Sequence, residues 1–434
     1  MATLRLFPRF LWIALIFLTV IPRYLWRRLT AGRLAPYDRD RLRGEILAST
    51  LERLGATFVK FGQILGSRPD LLPPGMIDEL SRLHDAVPPA SFEVMERVLD
   101  VELSQTSRER IEHIERDPVA AASVAQVHEG RLTSGERVAL KIQRPEARSQ
   151  IERDLAILSM GATVLDVVPS IHLLSLPGAV ERFGKALSDQ LDFRLEAANN
   201  RRLTKNFEGF KGVKVPRLFD DLCTERVLAM EFIDGVKATD ADKVEGRKIR
   251  RRLAARGGEA ILKMVFRDGF VHADMHPGNI LLQDDGTLVF IDLGMVAEIP
   301  DDLMGPWIDT FQALGANDGV AAARQFYMYA PSVGTKDYAA YERDMVTFFD
   351  RFEGKKLGEI EVSEVIGGAM NILRRHRIQI EPVFTVVNLG ILVAEGVGKQ
   401  LDPDLDLVAM AMPYLAEAAS KAPPSRSPRR ELPA

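Results

Sequence analysis

Asp274 and Asn279 stand five residues apart in VHADMHPGNILL, and Asp292 follows thirteen residues later in VFIDLG. Two carboxylates and an amide at this spacing suit phosphoryl transfer from ATP. One carboxylate orients or deprotonates the nucleophile, and the remaining oxygens hold Mg²⁺ against the phosphates. Gly278 lets the loop turn, and Gly294 frees the backbone after Asp292. Upstream, ERVALKIQRP places Lys141 on a predicted strand with alternating Val138 and Leu140. A lysine there can pair with nucleotide phosphates and with a helix glutamate, for which Glu196 in QLDFRLEAANN is the candidate. Singly, each residue is bland: a strand lysine defaults to a solvated side chain and a helix glutamate to a surface charge. The joint pattern, in order and in the right kinds of element, reverses that default. His272-x-Asp274-x-His276 also permits a metal-site reading such as a metallohydrolase, but the other histidines (84, 113, 128, 172 and 376) show no second cluster of ligand spacing.

These residues need elements to hold them. Leu47, Leu51, Leu54, Phe58, Phe61 and Leu65 recur at helical spacing after a charged linker from Asp38 to Glu45, and predict a helix ending at Gly66-Ser67-Arg68-Pro69. Residues 76–84 and 91–103 read as two more helices. Val124–Leu132 and Arg137–Gln143 read as a hairpin turning at Thr133-Ser134-Gly135. Long helices are expected over 146–167 and 179–207, and a strand pair over Val213–Phe219 and Arg226–Phe232. Two short strands, Asn279–Leu282 and Leu288–Ile291, interrupt an otherwise helical remainder. The expected class is α+β, a two-lobed protein-kinase-like fold with a helical N-terminal extension. In residue terms, 1–36 is a hydrophobic basic anchor segment and 37–110 the extension. Residues 111–235 form a strand-rich lobe with an inserted long helix, 236–416 a helical lobe, and 417–434 a disordered basic tail.

The chain has 434 residues, 46% hydrophobic and 27% charged, which excludes wholesale disorder and a polytopic membrane protein. A single cysteine, Cys223, excludes an intramolecular disulfide and a cysteine-based zinc site, and suits a reducing compartment. The net charge of −4 gives no hint of a nucleic-acid partner, and it hides an asymmetry. Residues 1–36 hold six arginines and no acid, and residues 421–434 carry a net +3, which leaves −13 for residues 37–420. Phe10 to Ile21 is FLWIALIFLTVI, twelve residues without a charge. As a helix it reaches only about 18 Å, against a hydrocarbon core of roughly 30 Å. Leu6 to Trp26, 21 residues, could just span if Arg9 and Arg23 snorkel. Trp12, Tyr24, Trp26 and the arginines read as anchors to anionic headgroups. A helix buried against the body is the bland alternative.

The sequence resembles the AarF/UbiB family of atypical kinases, which includes proteins supporting ubiquinone biosynthesis. The resemblance covers roughly residues 40–410 and rests on KFGQILGSRPDLLPP, AAASVAQVH, VALKIQRP, LDFRLEAAN, MEFIDG, HADMHPGNIL, IDLGM and EGVGKQLDPD. It implies that Lys141 and Glu196 form the family's ion pair, that Asp274 is the catalytic-loop aspartate, and that Asn279 and Asp292 ligate Mg²⁺. It also implies a hinge at Glu231-Phe232-Ile233 that contacts adenine through its backbone. Ala120-Ala121-Ala122-Ser123 stands in place of a glycine-rich nucleotide loop. Lys60-Phe61-Gly62-Gln63 is the family's KxGQ motif, on a helix thought to fold over the active site and block peptide substrates. Two departures stand out. The ExD motif reads Gln190-Leu191-Asp192, leaving only Asp192 charged. Bacterial UbiB proteins carry C-terminal membrane helices, whereas here the basic tail suggests Phe10–Ile21 as the anchor instead.

The expectation is therefore a membrane-associated atypical kinase or ATPase that binds ATP and Mg²⁺, its active site on the cytoplasmic side. Its expected partners are anionic membrane lipids and isoprenoid-quinone precursors or quinone-biosynthesis proteins. A small-molecule phosphotransferase and a nucleotide-gated scaffold without turnover are the alternatives.

Overall fold

A computed structural model describes residues 2–30, 34–66, 72–83, 88–166, 176–354, 361–421 and 426–433. His84, His172 and the expected helix stop at Ser67-Arg68-Pro69 lie outside the described residues. The chain divides into two compact units. The first comprises Met1–Gly66, Pro73–Ala198 and Arg217–Phe232, and the second Ser67–Leu72, Asn199–Pro216 and Ile233–Ala434.

The sheet of the first unit runs in the order β1 (Ile111–Ile114), β3 (Ala125–Leu132), β4 (Arg137–Gln143), β6 (Val227–Glu231), with β2 (Ala120–Ala121) paired to β3. β3 and β4 are the expected antiparallel hairpin, with Gly135 at φ +89° in its turn, a conformation glycine adopts without strain. Alternation on β4 buries Val138, Leu140 and Ile142 against Met95 and Leu99 of a helix at Phe92–Glu102. The same alternation turns Lys141 to the opposite face.

Helices α1 (Ala2–Thr30), α2 (Pro36–Leu54) and α3 (Ala56–Gly66) precede the sheet. The single helix expected from the Leu47–Leu65 stripe is two, because Gly55 at φ +101° ends α2. The charged stretch from Asp38 to Glu45 is helical rather than a linker. Likewise the helix expected over 179–207 breaks at Gln190–Asp192, between Leu176–Asp189 and Phe193–Asn206. The strand expected over Val213–Phe219 shortens to Val213–Lys214 (β5), which pairs in parallel with a strand of the second unit. Leu218 keeps only an isolated bridge to Met230.

α1 is not uniform around its axis. Ile13 and Ile16 are buried, and Arg9 pairs with Asp154, 2.8 Å away, and donates to the Leu54 carbonyl at 2.6 Å. Leu11, Leu15, Leu18, Leu25 and Leu29 recur on the other side and are exposed, flanked by exposed Trp12 and Trp26. One face is docked and the other is apolar and open.

The second unit is mainly helical. Its small strands are β5, β7 (Val236–Lys237), β8 (Phe270–His272), β9 (Ile280–Leu282), β10 (Leu288–Phe290) and β11 (Val296–Glu298). They form a four-stranded sheet β5-β10-β9-β7 and a β11-β8 pair. Around them pack a core with Trp307, Tyr341 and Phe290 at its centre and a helix at Pro382–Leu401. That helix is the one described element long and apolar enough to cross a membrane, and half of it is buried in this core. The last helix continues to Lys421, past the expected start of a disordered tail at 417. Beyond it, Arg426 pairs with Asp302 at 2.7 Å, and Arg429 pairs with Glu381.

Candidate active site

In the first unit, Lys141 Nζ donates to both oxygens of Glu196, at 2.9 and 2.8 Å. The local sequence accounts for the meeting. Phe193 and Ala197 of the Phe193–Asn206 helix pack against Ala125 of β3 and Leu228 of β6, which aims Glu196 at the face of β4 that carries Lys141. Only 15% of the Lys141 side chain and 5% of Glu196 remain exposed, so the pair is largely removed from water. Ala120 and Ala121 form β2, and the Ala122 N–H closes onto the Ala125 carbonyl, so the alanine-rich stretch is a tight extension of the sheet. At the expected hinge, the N–H groups of Glu231 and Phe232 donate to the carbonyls of Arg217 and Arg137.

In the second unit, a β8–loop–β9 turn and the end of β10 bring Asp274, Asn279 and Asp292 together. Asn279 Nδ2 donates to the Asp274 carbonyl at 3.0 Å and approaches its carboxylate at 3.5 Å. The Ile291 N–H donates to the Asn279 carbonyl at 3.0 Å, which ties the Asp292 segment to the loop. Asp292 Oδ1 accepts from the Gly294 N–H at 3.0 Å. Beneath them His272 is fully buried, and its Nδ1 accepts the Asp274 N–H at 3.2 Å. Burial pushes the His272 imidazole below its ordinary value, against Asp274 and Asp292, which favour its charged form. His276 Nδ1 likewise accepts the Gly278 N–H. Both histidines thus serve as main-chain acceptors, which disfavours the His-x-Asp-x-His metal reading. Carboxylate and amide oxygens on one loop are instead the hard donor set that suits Mg²⁺.

Sequence reasoning passed over Asn199. Three residues beyond Glu196 and on the same helix, it donates to the Leu293 carbonyl at 2.9 Å, between Asp292 and Gly294. The i, i+3 spacing from Glu196 was the available signal.

The chain matches the ABC1 atypical kinase-like domain over residues 82–325 and the UbiB helical domain over residues 345–406. It is 34% identical over 382 residues to an Aeromonas hydrophila subsp. hydrophila protein named "Probable protein kinase UbiB", covering 86% of this chain and 70% of that one. It is 35% identical over 379 residues to the protein of the same name from Pseudomonas fluorescens, covering 86% and 71%. The chain belongs to the ABC1/UbiB family of atypical kinase-like proteins. Its fold resembles that of Rv3197 from Mycobacterium tuberculosis, solved in complex with erythromycin, with a TM-score of 0.57 at 23% identity over 82% of this chain and 92% of that one.

Within this ABC1/UbiB chain the KxGQ residues lie on α3. Lys60 is half-buried, beside a small space lined by Thr57, Ser123 and Gln150. Gln63 Nε2 donates to the Leu83 carbonyl at 3.0 Å. Gly62 is a point of close approach: a Cβ there would lie 2.4 Å from Leu83 Cδ1 and 2.6 Å from Leu51 Cδ1. Asp192 caps the following helix, accepting from the Arg194 N–H at 3.0 Å and from its guanidinium at 2.8 and 2.7 Å. The Arg194 guanidinium holds the Asp192 carboxyl below the usual carboxylate range. Asp192 is therefore a helix cap paired with Arg194.

Proposed function

We propose that this ABC1/UbiB chain binds Mg-ATP and transfers or hydrolyses its terminal phosphoryl group, in support of isoprenoid-quinone or related lipid biosynthesis at a membrane. The observation that carries the reading is the Lys141–Glu196 ion pair, a cation fixed on a strand with its charge and direction set. Asn279 and Asp292 would hold Mg²⁺, which supplies charge neutralisation to the phosphates. Asp274, its backbone fixed by His272, orients the attacking hydroxyl or water and accepts its proton. With the Glu231 and Phe232 N–H groups engaged inside the protein, contact with a nucleotide base falls to their carbonyls or to Ile233. The exposed leucine–tryptophan face of α1 and its arginines favour attachment parallel to an anionic bilayer surface over spanning it. Arg9, which would have to snorkel in a spanning helix, is committed to Asp154. The names of the relatives, probable protein kinases, support the kinase class.

The test measures Mg-ATP binding and hydrolysis by the full chain, with and without anionic liposomes. Saturable Mg-dependent binding with turnover, raised by liposomes, is the expected result. Tight binding with negligible turnover would favour the scaffold alternative, and no binding in either condition would reject both.

A further inference from the structure

The helical unit contains a cavity of about 270 Å³ that shares no residue with the Asp274–Asn279–Asp292 loop. Its walls are Phe266, Phe311, Ile366, Ile391, Leu407 and Leu415, drawn from helical elements far apart in the chain. Protein interiors are packed nearly as densely as organic crystals, and apolar voids are few. A dry apolar cavity of about 150 Å³ already takes up benzene, and this one is nearly twice that size. Water gains little there, because the walls offer almost no hydrogen-bonding partners.

The mouth adds chemistry. It is formed by Gly315 at the C-terminal end of the Asp301–Gly315 helix, with Asn317 and Glu353 beside it. The Gln312, Ala313 and Leu314 carbonyls of that helix end are capped by the N–H groups of Ala316, Asp318 and Asn317, and the end keeps the negative pole of the helix dipole. Together with the Glu353 carboxylate it repels phosphate or carboxylate, and that carboxylate accepts hydrogen bonds from a hydroxyl. Among the described residues, a Cβ at Gly315 or Gly354 would meet nothing within 4 Å, so either position accepts a larger side chain. The helix covering the cavity, Leu407–Lys421, contains Pro413, which has no N–H to return to the Ala409 carbonyl. Its neighbour Met412 lines the cavity while 45% exposed, and methionine adapts readily to different shapes. The covering helix is therefore weakened beside Met412.

We propose that this cavity binds a small apolar molecule or a single hydrocarbon chain whose head is neutral and hydroxyl-bearing. The inference stands apart from the nucleotide reading, since it uses none of the same residues.

Trp307 provides the reporter. Its ring centroid lies 4.6 Å from that of Phe311 in the cavity wall. The chain has three tryptophans, so Trp12→Phe with Trp26→Phe leaves Trp307 as the sole indole. In that full-length background, Trp307 emission is followed during titration with an ω-bromodecanol and with the corresponding bromodecanoic acid, both below micelle-forming concentrations. Saturable quenching by the alcohol is expected, with the acid at least tenfold weaker. Ala411→Phe and Gly315→Leu, which fill the cavity and its mouth, should each weaken the alcohol at least tenfold while leaving the melting temperature unchanged or higher. Quenching that never saturates in the double-Phe background overturns the site whatever the filling variants do. Saturable quenching unaffected by a folded filling variant places the ligand elsewhere and also overturns it. Equal binding of acid and alcohol overturns the neutral-head assignment.

Discussion

Lys141–Glu196 and Asp274–Asn279–Asp292 are both clusters of charged and polar side chains, yet they are built on different principles. Lys141 and Glu196 neutralise each other inside the first unit, and each is more than four-fifths buried. Asp274, Asn279 and Asp292 are positioned chiefly through the main chain: the Gly294 N–H on Asp292, the Asp274 carbonyl on Asn279, and His272 under the Asp274 N–H. A buried ion pair is part of the fold as much as of the site, so damaging it confounds stability with chemistry. A carboxylate held by backbone N–H groups keeps its place when its charge is removed. The second cluster is thus where function can be changed with the fold left standing.

The largest effect on nucleotide binding expected from this contrast is in Asp292→Asn. Mg-dependent nucleotide affinity should fall by about two orders of magnitude, roughly 2.7 kcal/mol, while thermal unfolding stays near that of the parent. Calorimetric titration and a melting curve on the same sample check both halves. Glu196→Gln should do the reverse in stability, costing about 3–5 kcal/mol because Lys141 keeps its buried charge. A denaturation midpoint equal to the parent's would show that the pair is not structural. Arg9→Leu should cost about 2–3 kcal/mol, since Asp154, 1% exposed, loses charge-assisted bonds. The matching readout is protease cleavage within α1, which should accelerate, and rescue by the added change Asp154→Leu would confirm the pairing. Gly62→Ala should cost about 1–3 kcal/mol through overpacking against Leu51 and Leu83, read as a lower melting temperature with nucleotide affinity retained.

The smallest expected effect is on pH. His128 is buried, its Nδ1 2.9 Å from the Glu115 carbonyl, and burial lowers its pKa below the ordinary 6.5. The unfolded chain then takes up a proton that the folded one resists, so His128 contributes fully above about pH 6.5 and its contribution is lost as pH falls below that value. His128→Phe should flatten the acid side of a stability-versus-pH curve.

How much of this was legible in the sequence differs between the two clusters. The Asp274–Asp292 loop is local, nineteen residues whose spacing alone forecasts the turn. The Lys141–Glu196 pairing crosses 55 residues, and only the coincidence of a strand lysine and a helix glutamate hinted at it. Breaks in the helices escaped periodicity because Gly55 and Asp192 interrupt the backbone without interrupting the apolar stripe. The two sides of α1 were not legible, since nothing in twelve uncharged residues marks which side docks on α2 and which stays open. Asn199 and Arg194 were silent for another reason: their partners are a carbonyl and a neighbouring carboxylate, which leave no pattern in composition.

The central claim is that Asp274, Asn279 and Asp292 form a Mg-dependent phosphoryl-transfer site. Its most direct test is phosphate release from ATP by the parent chain and by Asp292→Asn, measured across a Mg²⁺ titration in the presence of anionic liposomes. The parent should show saturable Mg²⁺ activation that the variant loses while remaining folded. Identical Mg²⁺ curves for the two folded proteins would contradict the account.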